Sequence, residues 1–190
     1  MAGMEVAESG GKVVKAENPT TVIRLPEFLL RLLAFVTTLV AAIVMGVNKE
    51  TKIVPIPDLP PLEVAVTAKS GLISTSIYFV VANAIACTHT AFSLLLSIIP
   101  KRVGTNGFSP AVVILDVIMV GLLLSGSGAA SAIGVVAYKG NSHLKWNEVC
   151  SVFGKYCHQA AASIVVSLLG SFVLILLVVL AVLKLHKKFK

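Results

Sequence analysis

The stretch Phe28–Val47 reads FLLRLLAFVTTLVAAIVMGV, and it decides the fold. Arg31 is its only charged residue. A helix needs about 20 mostly apolar residues to cross the hydrocarbon core of a bilayer, so this stretch predicts a transmembrane helix. The polar residues 1–25 contain no apolar segment of the kind found in a cleavable signal peptide. We therefore expect this first helix to act as the insertion signal.

Three further apolar segments are long enough to span a bilayer, at residues 74–99, 111–137 and 160–183. Of the 190 residues, 56% are hydrophobic and 13% charged, whereas a soluble domain has roughly 25% charged residues. The sequence therefore predicts an all-α membrane protein, a four-helix transmembrane bundle over residues 28–183. Residues 1–27 are predicted to form a disordered cytoplasmic tail, and residues 184–190 a basic cytoplasmic tail.

The distribution of Lys and Arg predicts the orientation of the bundle. Nine of these residues flank the spans on the side of the two termini and of residues 100–109, and six lie on the other side. Because basic residues favour the cytoplasmic side, both termini are predicted to be cytoplasmic. The formal net charge is +7, and the basic residues that produce it lie at the edges of apolar runs. Membrane lipids are therefore the expected partners, and nucleic acid is not.

The first outer loop is predicted at residues 48–73. It contains four prolines, which predict an extended segment rather than a folded domain. They are Pro55, Pro57, Pro60 and Pro61.

Cys150 and Cys157 lie in the second outer loop, residues 138–159, on the oxidising side of the predicted topology. Seven residues of straight helix rise about 10.5 Å, whereas bridged cysteines have Cα atoms within about 7 Å of each other. A disulfide between them therefore requires a bend, for which Gly154 is the obvious place. We expect the disulfide; two free thiols on a juxtamembrane helix are the alternative.

Arg31 and Asp116 are charged residues inside predicted spans, each within about two turns of the cytoplasmic end. An unpaired charge inside a membrane costs roughly 3 kcal/mol or more. Opposite charges at similar depth can neutralise each other, so the sequence predicts an ion pair between the first and third spans. The alternatives are that Arg31 snorkels to the headgroups, that Asp116 caps its helix, or that the charges serve transport.

Small residues mark the predicted helix-packing faces, because they let helices approach closely in lipid. In the first span they recur every four residues, and in the third span they share a face with Asp116. The predicted packing residues are Ala34, Thr38, Ala42 and Gly46 in the first span, Ser127 and Gly134 in the third, and Ser163, Ser167 and Ser171 in the fourth.

The second span carries a polar stripe, and His89 is predicted to point away from it. The stripe consists of Asn83, Cys87, Thr90 and Ser97. A histidine in a membrane helix either hydrogen-bonds to a neighbouring helix in its neutral form or relays protons. No acidic residue lies one turn away in the same helix, which favours the hydrogen bond.

The sequence contains no Walker loop, no metal-binding His/Cys spacing and no Gly-x-Ser-x-Gly elbow. We therefore expect no enzyme activity, no cofactor and no metal site. Apart from a Gly-rich patch in the third span, the spans lack the broken half-helices of many transporters. The sequence is compatible with three hypotheses for the function. The protein could be a bundle that associates laterally, a small oligomeric channel or transporter, or an accessory subunit of a membrane enzyme.

The chain resembles the plant Casparian strip membrane domain-like proteins, which are related in architecture to the four-span MARVEL proteins. Arg31 and Asp116 match the hallmark charges of that family. The other matching segments are Leu30–Ala34, Asn48–Thr51, Tyr78–Asn83, Ser125–Ala132, Trp146–Cys157 and Ser163-Ile164. The resemblance implies a multi-pass plasma-membrane protein that self-associates into immobile platforms. It also implies homo-oligomers, hetero-oligomers with family members, and wall-side protein partners such as cell-wall-modifying enzymes.

Overall fold

A computed structural model describes residues 19–55, 63–69, 74–98, 110–140 and 148–189. Its helices are α1 (Pro19–Gly46), α2 (Ser74–Ile98), α3 (Pro110–Lys139) and α4 (Gly154–Phe189). Two strands, β1 (Lys49–Pro55) and β2 (Glu63–Lys69), lie between α1 and α2. All four helices are long and apolar enough to cross a membrane, which confirms the predicted four-helix architecture.

The helices form a closed square in chain order. Neighbouring pairs are α1–α2, α2–α3, α3–α4 and α4–α1, so α1 lies diagonally opposite α3 and α2 opposite α4. We call the end with the two strands the hairpin end, and the end with the last turn of α4 the tail end.

Polar and apolar layers alternate along the bundle axis. An apolar cluster nearer the tail end contains Ala34, Ala86, Met119, Leu123, Val173, Leu174 and Leu177. A second cluster nearer the hairpin end contains Ala41, Met45, Phe79 and Ala130. Between them lies a layer of buried polar residues, Thr38, Asn83, Ser127 and Ser167. The apolar outer faces of the helices are exposed, as lipid contact requires.

Three helices extend beyond the predicted spans. α1 begins at Pro19 and contains Pro26, although the span was predicted from residue 28. α4 begins at Gly154 and runs to Phe189, so most of the predicted basic tail belongs to the helix. Apolar length marks only the part of a helix inside the hydrocarbon, and a helix can continue into the headgroup layer. At the tail end, Lys184 of α4 forms an ion pair with Glu27 of α1.

The connection between α1 and α2 contains a β-hairpin, which was not predicted from the sequence. β1 and β2 pair antiparallel, with Lys49 opposite Lys69 and Pro55 opposite Glu63. Both strands are rich in β-branched residues, which favour pleated pairing. Of the four prolines, Pro55 lies at the end of its strand, where a missing N–H is tolerated. The other three lie outside the described residues, as do Trp146 and residues 1–18.

The connection from α3 to α4 turns back on itself at the hairpin end. Gly140 follows α3 with φ of 69°, and its N–H donates to Val136 O at 2.9 Å; this left-handed conformation is the usual glycine end of a helix. Val149 and Cys150 donate their N–H groups to Ala137 O. These bonds hold Val149 and Cys150 against the end of α3.

The predicted disulfide between Cys150 and Cys157 is present, with a Cα–Cα distance of 5.7 Å. The required bend lies in the turn before Gly154, which is the first residue of α4.

Candidate functional site

The charged site at the tail end is built around Asp116 of α3, whose residue is 2% exposed. Arg31 Nη2 lies 3.3 Å from Asp116 Oδ2, and Arg31 Nη1 donates to Ser93 Oγ at 2.7 Å. Because α1 and α3 are diagonal, this ion pair crosses the bundle. Both charges are buried, so Arg31 does not snorkel to the headgroups here. Asp116 also lies well inside α3, which begins at Pro110, so it does not cap that helix.

His89 of α2 completes this site. Its Nε2 lies 2.7 Å from Asp116 Oδ1, so each carboxylate oxygen has its own partner. A carboxylate can only accept hydrogen bonds, so this contact is a hydrogen bond when His89 carries a proton on Nε2. The sequence of α2 alone offers no acidic partner for His89, because the partner comes from α3. Similar depth could have indicated it, since Arg31, His89 and Asp116 all lie in the tail-end half of their apolar spans.

A second polar network links three helices at mid-depth. Ser127 of α3 donates to Ser167 Oγ of α4 at 3.2 Å. Ser167 donates to Asn83 Oδ1 of α2 at 3.0 Å, and Asn83 Nδ2 donates to Phe79 O at 2.9 Å. This chain of bonds crosses the other diagonal of the square, from α4 to α2. Its members are at most 1% exposed, so they satisfy one another in a closed interior.

The predicted packing residues divide into two groups. Ala34, Thr38, Ser127, Ser163, Ser167 and Ser171 are buried in the bundle. Ala42 is half-buried, and Gly46 and Gly134 are exposed with no atom near enough to touch an added Cβ.

The buried face of α1 instead runs through Ala41 and Met45. A helix has 3.6 residues per turn, so a stripe at strict four-residue steps drifts away from any fixed face. Ala42, Gly46 and Gly134 thus do not belong to the buried faces of the bundle, and a packing role for them outside it stays a prediction.

A third polar cluster joins the hairpin to α4. Asn48 Nδ2 donates to Tyr156 O at 2.9 Å, and Tyr156 N–H donates to Glu50 Oε2 at 2.8 Å. Tyr156 is the third residue of α4, where backbone N–H groups have no partner within the helix. Glu50 therefore caps α4 from another element, and its charge suits the positive end of the helix. This contact was not predicted, because no strand was expected between α1 and α2.

The three clusters contain nothing that resembles a reaction centre. Within the described ranges, no group of three or more His, Cys, Asp and Glu side chains could hold a metal ion. An open groove on the membrane-facing side of α2 is lined mainly by apolar residues, together with Thr88 and His89. The three polar clusters fix the relative positions of the four helices.

Comparisons with known proteins identify the family. The model of the Casparian strip membrane protein domain matches residues 20–173. A CASP-like protein 1E1 of Glycine max is 52% identical over 188 residues, covering 97% of this chain and 100% of the relative. Proteins of the same name from Ricinus communis and Arabidopsis thaliana are 54% and 50% identical, covering 85% and 84% of this chain and 83% and 85% of the relatives. No solved structure matches the chain.

Proposed function

Because the chain belongs to the Casparian strip membrane protein domain family, we propose that it is a self-associating scaffold of the plasma membrane. In this function it forms membrane subdomains and organises cell-wall-modifying partners. The proposal rests on a stripe of small residues along the outer face of α3.

The outer face of α3 is lined by small residues that lie outside the buried interior of the bundle, although Ser125 Oγ lies 3.2 Å from Tyr78 Oη of α2. Gly121, Ser125, Gly128 and Ala132 are all exposed, and their spacing places them in one narrow stripe along the helix. The buried residues of α3, such as Leu123 and Ala130, lie on the opposite side of the helix, about 180° away.

This stripe permits close approach by another helix. A Cβ added at Gly121 or Gly128 meets no atom of the chain within 4 Å. In lipid, helices gain from contact mainly through close van der Waals packing, which small residues at four-residue spacing allow. The stripe is therefore suited to a second copy of the same bundle, and symmetric contact between copies would build an oligomer.

We expect Gly121→Leu and Gly128→Leu, singly and together, to weaken self-association while the monomer stays folded. Each leucine would hold two helices apart, whereas its Cβ would meet no atom of the other helices of its own bundle within 4 Å. Single-molecule photobleaching of labelled protein in liposomes, over a range of protein-to-lipid ratios, measures the effect. We expect the double variant to shift the dissociation midpoint by about tenfold or more, equivalent to roughly 1–2 kcal/mol of helix contact.

The matched control is Gly134→Leu, which makes the same change on the same helix. Gly134 is exposed with open space around it, but it points away from the stripe. If Gly134→Leu reduces association as much as Gly128→Leu does, the stripe is not the contact face.

We also propose that the hairpin end lies outside the cell and both termini in the cytoplasm. The disulfide supports this orientation, because such bonds persist on the oxidising side of a membrane. A membrane-impermeant reductant added to intact cells should open the Cys150–Cys157 bond, and a tag after Lys190 should be labelled only after permeabilisation. Labelling of that tag on intact cells would reverse the orientation.

The alternative function is a small oligomeric channel or transporter. The buried polar residues at mid-depth and around Asp116 are the features that favour it. It predicts ion or solute flux in liposomes that Asn83→Leu abolishes. Flux of that kind from the purified protein would displace the scaffold proposal.

A further inference from the structure

Two lysines stand directly opposite each other at the base of the hairpin. Lys49 of β1 and Lys69 of β2 are register partners, and both are exposed. Opposite residues in an antiparallel pair project from the same face, with Cβ atoms about 4.5–5.5 Å apart. Like charges in such a position destabilise the pair. The fold therefore places two lysines opposite each other at a position where hairpin stability alone would favour opposite charges.

No described acidic side chain relieves this repulsion. Glu50, the nearest carboxylate in sequence, belongs to the other face of the hairpin because successive strand residues alternate. It accepts the Tyr156 N–H and lies 3.8 Å from Lys52 Nζ. Among the described residues, neither Lys49 nor Lys69 has an ion-pair partner.

The contact with α4 also fixes where the lysines face. Because Glu50 turns its side of the hairpin toward Tyr156, the lysine side is turned away from α4. Thr51 and Thr67 lie on that same side, with their hydroxyl oxygens 3.1 Å apart. The surface thus combines two cations with two hydroxyl groups.

The pair lies close to the ends of α1 and α2, within reach of lipid headgroups if those helices span the bilayer. Lys49 is the third residue after Gly46, the last residue of α1, so it lies within about 10 Å of chain from the helix end. Lys69 precedes Ser74, the first residue of α2, by five residues. A headgroup layer is about 5–7 Å thick on each side of the hydrocarbon core. The first anion that such a pair meets is a lipid phosphate.

We propose that Lys49 and Lys69 jointly bind the phosphate of an anionic phospholipid in the leaflet at the hairpin end. A compact ammonium group binds phosphate as a point charge, and two of them on one rigid hairpin would bracket a single headgroup. This inference is separate from self-association, because the α3 stripe and the lysine pair lie on different elements.

The test is a double-mutant cycle on lipid binding. Wild-type protein, Lys49→Gln, Lys69→Gln and the double variant are reconstituted in nanodiscs of mixed phosphatidylglycerol and phosphatidylcholine. Native mass spectrometry then measures how strongly phosphatidylglycerol is retained over phosphatidylcholine. Independent lysines each contribute about fivefold near an anionic surface, and their effects multiply. A shared phosphate predicts instead that either single change removes most of the preference and that the second change adds little.

The control cycle uses Lys139 and Lys155, which are exposed on the same end of the bundle but belong to different helices. Each should contribute up to about fivefold, and their effects should multiply. Lys69→Glu distinguishes lost lipid binding from a misfolded hairpin. It places an opposite charge beside Lys49, so the hairpin amides should exchange hydrogen more slowly than in the wild type. Phosphatidylglycerol retention should nevertheless fall.

Two outcomes would overturn the proposal. The first is equal and multiplicative effects in both cycles, and the second is unchanged lipid retention in the double variant. In the second case, lost binding of a soluble acidic polysaccharide would assign the pair to another partner. A failure of the α3 variants to dissociate oligomers would leave this measurement unaffected.

Discussion

Asp116→Ala is expected to lower the free energy of unfolding by about 3–5 kcal/mol, since it leaves one charge of a buried pair without its partner. Arg31 would remain buried and cationic, and His89 would lose the acceptor of its 2.7 Å hydrogen bond. We therefore expect little of this variant to reach the cell surface. The folded fraction can be followed in detergent with a thiol-reactive dye, because Cys87 is the free cysteine and the other two form the disulfide.

A double substitution tests whether the loss of stability comes from the unpaired charge or from other contacts of the site. Replacing a buried ion pair by apolar residues of similar size is often neutral or stabilising. Arg31→Leu combined with Asp116→Leu should therefore recover much of the stability that either change loses alone. Wild-type melting behaviour in Asp116→Ala would show that the pair does not organise the bundle.

Gly170→Leu is expected to be the second most damaging change, at about 3 kcal/mol, the upper part of the range for overpacking a well-packed interior. Gly170 lies where α4 meets α1, and an added Cβ would lie 2.8 Å from Thr37 Oγ1 and 3.4 Å from Thr38 Cγ2. Thr37 cannot move away freely, because its hydroxyl donates to Leu33 O at 2.9 Å. We expect the variant to melt earlier in the same dye assay.

A smaller change at the same site tests the contact itself. Gly170→Ala should destabilise the protein by about 1 kcal/mol, and adding Thr37→Ala should restore most of that loss by removing the hydroxyl. Gly134→Ala should be neutral or slightly stabilising, since alanine favours a helix over glycine and the site is open. Equal effects at Gly134 and Gly170 would mean that helix propensity, not contact, decides the outcome.

The four helices could be predicted from the sequence because each depends on one property, the length of an apolar run. The proximity of Arg31 and Asp116 could also be anticipated, because a charge in lipid needs a partner and few partners share its depth. The disulfide followed from the compartment and from the bend that its spacing requires.

Other features depend on contacts between elements and were missed for that reason. The partner of His89 comes from α3, so the pattern of α2 alone gives no sign of it. The hairpin was missed because four prolines outweighed the β-branched residues of its strands, although only Pro55 lies within a described strand. The packing face of α1 was misplaced by the drift between a four-residue step and a 3.6-residue turn.

The two diagonal links have a mechanical consequence. A square of four rods that touch only along its sides can shear into a rhombus without losing any side contact. The Arg31–Asp116 pair ties one diagonal near the tail end, and the Ser167–Asn83 bond ties the other at mid-depth. Cross-bracing at two heights resists that shear, so the cross-section of the bundle should keep its shape when lateral pressure in the bilayer changes. Copies packed side by side would then present a constant outline to one another.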